Sequence, residues 1–445
     1  MSIEKKYPEA FLNRMKSFLG NEFNAFLNSL NETPPVSIRF NPFKSAAPSF
    51  GEVEEGDIPW CLNGKYLKAR PSFIFDPLFH AGTYYVQEAS SMFIEEVWKQ
   101  INPENKTVRV LDMCAAPGGK STHLLSLMNA ASLLVTNEII PNRNKILREN
   151  ITKWGTANCF VTQNEPRYFS KLDNYFDIVL VDAPCSGEGL FRKDENAIDE
   201  WSEKNVAICA MRQKEILKHA VACLKPNGFL MYSTCTFEEA ENDGQIADCG
   251  LPVVDFAFEN FGQIKTKYGY QFLPHKLKGE GFYISVLQKN DVQNTEANNS
   301  QFVIRNSQFH SVVEKYLNHS DDFVPYEKRE MLFAIPKNLW NDFQLLNTVL
   351  PLRQSGIYLG EIKGKDFLPS HDLALSIHVS SSLPSIELNY DEAIAYLRCD
   401  PLKLKTDLRG WCLVKYQSKN IGWIKILENR INNYYPRDWR ILKQK

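Results

Sequence analysis

Five short apolar runs, at 107–112, 132–137, 159–163, 177–182 and 228–233, alternate with stretches whose apolar residues recur at helical spacing. Strands separated by helices pair side by side only when each connection crosses over the sheet. The alternation therefore predicts an α/β fold with a parallel sheet covered by helices on both faces. GEGFYISVLQK (279–289) reads as a final strand. Ligands of such open sheets collect beyond the carboxyl ends of the strands, and the distinctive residues of this chain sit at those ends.

The first run leads into VRVLDMCAAPGGKST, where Gly118 and Gly119 permit a tight turn and close approach of a ligand to the backbone. The loop is not G-x-G-x-x-G, and its lysine spacing is not that of a phosphate-binding P-loop. The second run ends at Glu138, 20 residues beyond Gly118 and placed to accept from ribose hydroxyls. The third ends in CFVTQNEP, with Asn164 and Glu165 within reach of an adenine edge. Without a diphosphate loop, this pattern suits S-adenosyl-L-methionine better than NAD. The fourth run, FDIVLVDAPCSGEG, delivers Asp182, Pro184 and Cys185, and the fifth, GFLMYSTCTFEE, delivers Cys235. A free thiol is most often a small core residue, and eight of the ten cysteines read that way. Cys185 and Cys235 do not, because glycine-rich or polar loops at strand ends bring both toward one cleft.

At 445 residues the chain is too long for a single ordinary core. Residues 1–95 read as an α+β extension, with helical spacing over 8–30 broken at Gly20 and a strand in TPPVSIRFNPFK. The alternating region occupies 96–290. NDVQNTEANNSQ (290–301) has a linker's composition, 302–390 reads as a connecting region of mixed character, and 391–445 as a separate basic domain. Net charge is only −2, but its distribution is uneven. From Asp400 onward eleven Lys or Arg face four acids, leaving 40 basic and 49 acidic side chains elsewhere. Trp411, Tyr416, Trp423, Tyr434, Tyr435 and Trp439 interleave with that charge, either to stack on bases or to fill a small core. The cysteines are scattered singly, with no C-x-x-C pair, so no metal site is expected. Reduced thiols, no secretory leader and no apolar window of about 20 residues predict a cytoplasmic protein that does not enter membranes.

Several segments together resemble the RNA cytosine-5 methyltransferases of the Nol1/Nop2/Sun group. They are QEASSM (87–92), LDMCAAPGGKS (111–121), DAPCSGEG (182–189), RQKEIL (212–217), LKPNGFLMYSTCT (224–236) and EEAEN (238–242). PEAFLNRMKSFLG, DPLFHAGTYYVQEASSM, KGEGFYIS and SGIYLGEIKGKDFLPSHDLAL are similar to the bacterial branch that acts on 16S rRNA, and the basic tail to that branch's PUA-like RNA-binding domain. The resemblance implies a Rossmann-like S-adenosylmethionine methyltransferase core, an N-terminal α+β RNA-binding extension and a C-terminal PUA-like domain. It assigns the nucleophile to Cys235, help in product release to Cys185, and the cytosine edge to Asp182. Lys120 is a candidate for cofactor carboxylate or substrate contact. Cofactor contacts carry over onto Cys114, Ala115, Ala116, Pro117, Gly118, Gly119, Lys120, Glu138, Glu165 and Asp182, with Glu165 standing where the family often has Asp. The implied partner is RNA, namely small-subunit rRNA or the 30S particle, met by a monomer. Two other readings stay open: DNA-type chemistry with Cys185 as nucleophile, and a non-catalytic ribosome-assembly factor that keeps the cofactor fold.

Overall fold

The computed structural model describes residues 6–44, 46–49, 54–290, 309–364 and 366–443. At its centre is a nine-stranded sheet. Five strands run parallel, in the spatial order Leu224–Thr234, Phe176–Asp182, Arg109–Asp112, Leu133–Asn137 and Cys159–Thr162. The chain fills one half outward from Arg109–Asp112, then returns to fill the other, so the strand order reverses between Arg109–Asp112 and Phe176–Asp182. A crevice opens at such a point because the two connecting loops diverge to opposite faces. The central strands read as almost unbroken apolar runs because helices cover both faces; Leu133–Asn137 and Cys159–Thr162 are buried at every position. Phe282–Gln288 adds antiparallel to Leu224–Thr234 as the expected last strand of this region.

The ninth strand comes from the connecting region of mixed character. Leu352–Ser355 pairs antiparallel with Cys159–Thr162 and covers the sheet's far edge. The adjoining helix Trp340–Val349 seats Phe343 against Phe160, and Asp342 accepts from Arg109 Nε at 2.5 Å. The same stretch builds its own four-stranded antiparallel sheet, Phe323–Lys328, Met331–Pro336, Ile357–Lys363 and Asp366–Pro369. Apart from residue 290, the expected linker 290–301 lies outside the described residues.

At the N-terminus, helix Glu9–Leu19 buries Phe11, Met15 and Leu19, one face at a spacing of four, and stops at Gly20, whose φ of 54° suits glycine. Helix Phe23–Ser29 follows, and both pack on Phe191, Phe237 and Leu273 of the central region. An antiparallel sheet follows in the order Glu54–Ile58, Cys61–Leu67, Val36–Phe40, Tyr84–Val86. The tail forms a fourth sheet from Ser385–Glu387, Gly410–Tyr416, Lys419–Ile426 and Ile431–Asn433. Its apolar face joins the N-terminal sheet in one cluster, in which Ile38, Leu67 and Leu78 meet Ile394, Val414 and Tyr435. The tail aromatics divide: Trp423, Tyr416 and Tyr435 are core, Trp411 and Trp439 are half-buried, and Tyr434 is exposed. Among the described residues no helix is long and apolar enough to cross a membrane.

Candidate active site

The carboxyl ends of Arg109–Asp112, Phe176–Asp182 and Leu224–Thr234 meet at a cleft of about 350 Å³. Asp112 closes the first strand. Its Oδ2 accepts from Ser121 Oγ (2.6 Å) while Oδ1 is buried without a partner, and burial pushes its pKa up to about 7. The loop then passes Cys114, Ala115, Ala116 and a cis-linked Pro117. Gly118 has φ 110°, and a Cβ there would also press on Leu147 at 3.2 Å. Gly119 opens helix Gly119–Leu127 with the Tyr85 ring 3.3 Å from where a Cβ would stand, so the N-terminal extension forms one wall of the cleft.

Lys120, in the first turn of that helix, pairs with Asp182 at 2.9 Å and lies 5.2 Å from the Phe282 ring centroid. Burial pulls the ammonium down, but Asp182 more than compensates and holds its pKa above the ordinary value. Asp182 also accepts from Ser233 Oγ at 2.8 Å. Cys235 lines the same cleft. Cys185 is packed behind it, with the two sulfurs 3.2 Å apart. That contact, together with burial, pushes the Cys185 thiol well up, so it keeps its proton at neutral pH. Gly189 lets the two cysteine loops touch: its N–H donates to Cys235 O at 2.8 Å, and a Cβ would stand 2.6 Å from that oxygen.

The structure thus brings together Cys185, Cys235, Asp182, Lys120 and the Cys114–Gly119 loop. Glu138 lies to one side, buried, accepting from Ile140 N–H at 2.9 Å and facing Arg143 at 3.3 Å; Arg143 in turn donates to Ala116 O at 2.8 Å. Glu165 is not drawn in. The chain turns at Pro166 into a 3-10 helix, and the Glu165 carboxylate stays half-exposed, paired with Arg167 at 2.9 Å. Its neighbour Asn164 is buried, fixed through its backbone to Asn137, with an amide Nδ2 that has no partner.

Other residues of the site carried no role in the sequence. Gln213 Nε2 donates to Pro184 O (3.0 Å) and to Glu241 Oε2 (2.8 Å), and Ser186 N–H donates to the same Glu241 oxygen (3.0 Å). Ser186 Oγ lies 3.0 Å from Thr236 Oγ1. These contacts clamp the loop carrying Cys185 to the one carrying Cys235. Gln213 and Glu241 fall in RQKEIL and EEAEN, segments that stood out only as resemblance. On the cofactor side, fully buried Arg39 donates to Thr122 Oγ1 (2.7 Å), Gly119 O (3.2 Å) and Gln87 Oε1 (2.9 Å), tying the N-terminal sheet to the helix start.

Away from the cleft, Cys61, Glu95 and His123 come together from three elements, with their ligand-type atoms within 4.8 Å of one another. His123 Nε2–H donates to Glu95 Oε2 (3.1 Å), Leu62 N–H donates to Glu95 Oε1 (3.1 Å), and Cys61 Sγ lies 3.7 Å from His123 Nε2. No sequence spacing announces this group, because its members are 28 to 62 residues apart.

Three family profiles match the chain in succession: the N-terminal domain of 16S rRNA methyltransferase RsmF (residues 7–89), 16S rRNA methyltransferase RsmB/F (99–288) and the methyltransferase RsmF PUA domain (383–441). Ribosomal RNA small subunit methyltransferase F of Vibrio vulnificus is 30% identical over 462 residues, covering 97% of each chain. The protein of the same description from Vibrio parahaemolyticus is 31% identical over 470 residues, again 97% of each. Among solved structures, a methyltransferase homologue from Pyrococcus horikoshii superposes with TM-score 0.54 at 25% identity, over 65% of this chain and 99% of that one. NSun6 from the same organism, solved with SFG, gives 0.52 at 20% identity, over 64% and 99%, and shares the fold.

Proposed function

This chain belongs to the ribosomal RNA small subunit methyltransferase F family and is an rRNA methyltransferase; we propose that it methylates carbon 5 of a cytidine in 16S rRNA, free or in the 30S particle, through a covalent bond from Cys235. The methyl donor is S-adenosyl-L-methionine, and the cleft suits it. Asp112 Oδ1 is a buried polar atom without a partner ahead of a glycine turn that admits a ligand to the backbone, and Asn164 Nδ2 is another, past strand Cys159–Thr162. The Cys114–Lys120 loop and Asp182 would hold the donor's amino-acid end, Glu138 its ribose, and Asn164, in place of Glu165, its adenine edge. When bound, the donor supplies an electrophilic methyl group on a sulfonium.

Carbon 5 of cytosine is a poor nucleophile. Addition of the Cys235 thiolate to carbon 6 moves the ring's π electrons toward N3 and makes carbon 5 an enamine carbon. Asp182 receives the amino and ring-nitrogen edge and stabilises the protonated adduct. Lys120 keeps a positive charge beside Asp182 and within electrostatic reach of Cys235. Once carbon 5 is methylated, its proton passes to a solvent water, the C–H electron pair re-forms the carbon 5–carbon 6 double bond and the Cys235 sulfur is expelled. Cys185, holding its proton 3.2 Å away, donates to that sulfur as negative charge returns to it. This sulfur–sulfur contact carries the assignment: one thiol faces the cleft, and the other is held protonated behind it. Residues 96–290 perform the chemistry. The extension (1–95) and the tail (391–445) hold RNA, residues 302–390 brace them, and a cytoplasmic monomer suffices.

The test is a covalent-trapping gel with the methyl donor and small-subunit RNA. Cys185→Ala should give a denaturation-resistant protein–RNA band that disappears when Cys235→Ala is added. A band that depends on Cys185 would reverse the two roles. No band from any variant, with donor binding intact, would point to a non-catalytic assembly factor.

A further inference from the structure

A groove of about 1050 Å³ runs between the N-terminal sheet and the loop at residues 274–279, three times the volume of the catalytic cleft. Groove and cleft share Val86, Gln87, Glu88 and Lys193 in their walls, so the two adjoin. Lys68, Arg70, Lys193, Lys276 and Lys278 line it, all exposed. Lys278 lies over the Tyr66 ring (4.6 Å), Arg70 over the Phe73 ring (5.5 Å), and Lys276 pairs with Glu22.

Acids offset part of this charge, Glu22 at Lys276 and Glu280 at 3.4 Å from Lys193. The Glu88 carboxylate is committed inward, accepting from Ser90, Ser91 and Glu280 N–H at 2.8–2.9 Å. Glu32 also lines the groove. The charge is not a general feature of the surface either, since outside the tail acids outnumber bases by 49 to 40.

We infer that this groove holds the single-stranded RNA flanking the target cytidine. Its phosphates lie on Lys68, Arg70, Lys276 and Lys278, and Lys193 marks the turn into the cleft. The inference rests on the function proposed above and adds where the substrate runs. A single strand suits the groove because a base presented to the cleft must be unstacked, which costs least where the strand is already unpaired. A row of cations on an open wall tracks a phosphate backbone without reading its sequence.

The experiment measures RNA affinity in a Cys235→Ala background, where no methyl transfer is needed for the readout. The probes are a fluorescein-labelled single-stranded RNA and its duplex, each titrated at several salt concentrations. Charge reversal at Lys68, Arg70, Lys276 and Lys278 to Glu should weaken single-strand binding by about tenfold or more. The salt slope should fall by roughly 0.7 for each phosphate that is no longer neutralised. Duplex binding should weaken less. The milder pair Lys68→Gln with Lys278→Gln should fall between, guarding against a fold defect in the quadruple variant, and Lys218→Glu outside the groove should bind as the parent does. Unchanged affinity and slope in the quadruple variant would overturn the inference, as would a duplex loss equal to the single-strand loss. Failure of the trapping gel would count against the chemistry alone, because this binding readout does not depend on it.

Discussion

The catalytic cleft and the Cys61–Glu95–His123 cluster draw on nearly the same groups: a thiol, a carboxylate and a nitrogen base. In the cluster the His123 and Glu95 side chains are 1% and 3% exposed, and each carboxylate oxygen already accepts an N–H. In the cleft, Lys120 and Asp182 are 14% and 33% exposed, and the thiol beside them opens onto a cavity. The same chemistry is locked in one place and accessible in the other. What separates them is the cavity at the thiol and the glycines that let loops and ligand approach. Reactivity here is a property of the surroundings more than of the residue types.

The largest expected effect sharpens the cleft side. Asp182→Ala should lower kcat by about 10²–10³, the cost of removing one group aimed at developing charge, with donor affinity reduced as well. Steady-state methylation and calorimetry of donor binding check both. A smaller effect is expected one layer out. Gln213→Ala removes the bonds to Pro184 and Glu241 and should loosen the Cys185 loop, costing roughly ten- to a hundredfold in kcat through misplacement alone. Single-turnover kinetics would show slower adduct release. A normal rate would mean the two loops hold their geometry without the clamp.

The cluster should respond in stability. Cys61→Ala and Glu95→Gln should each destabilise the fold by about 1–3 kcal/mol, read by denaturant melts, while the folded fraction still forms the Cys235 adduct. Acid should act in the same direction. Burial, reinforced by Arg39, pulls His123 down to about 4, and contact with His123 outweighs burial to hold Glu95 at about 2. Both folded values lie below the unfolded ones, so this stabilisation is complete above about pH 6.5. It is lost as pH falls toward 4 for His123 and below about 4.5 for Glu95. Tm should therefore drop on acidification, with a shallower slope in His123→Gln.

Much of this was visible in the sequence where burial imposes a pattern. The central strands lie where the apolar runs are, because a strand covered on both faces has no other composition open to it. Leu352–Ser355 has no strand pattern in the sequence because three of its four residues are polar; it is a strand because the edge Cys159–Thr162 offers it a partner. The two cysteines were legible from the strands that end at them, but their contact depends on Gly189 and the Gln213–Glu241 clamp, which only the fold assembles. Asn164 and Glu165 are neighbours past a strand end, and only the fold shows that the first is buried and the second half-exposed. The tail's charge was readable, but the division of its aromatics between core and surface was not, since an aromatic suits either.

The core shared by the first and last sheets bears on how the protein is made. Ile38, Leu67 and Leu78 find their cover in residues 394–435, which leave the ribosome long after them. At about 5–20 residues per second, some 300 residues of synthesis leave that apolar face uncovered for roughly 15–60 seconds. The N-terminal sheet is thus translated early and finished late, and a chain cut short before the tail would carry a sticky surface that the full-length protein never presents.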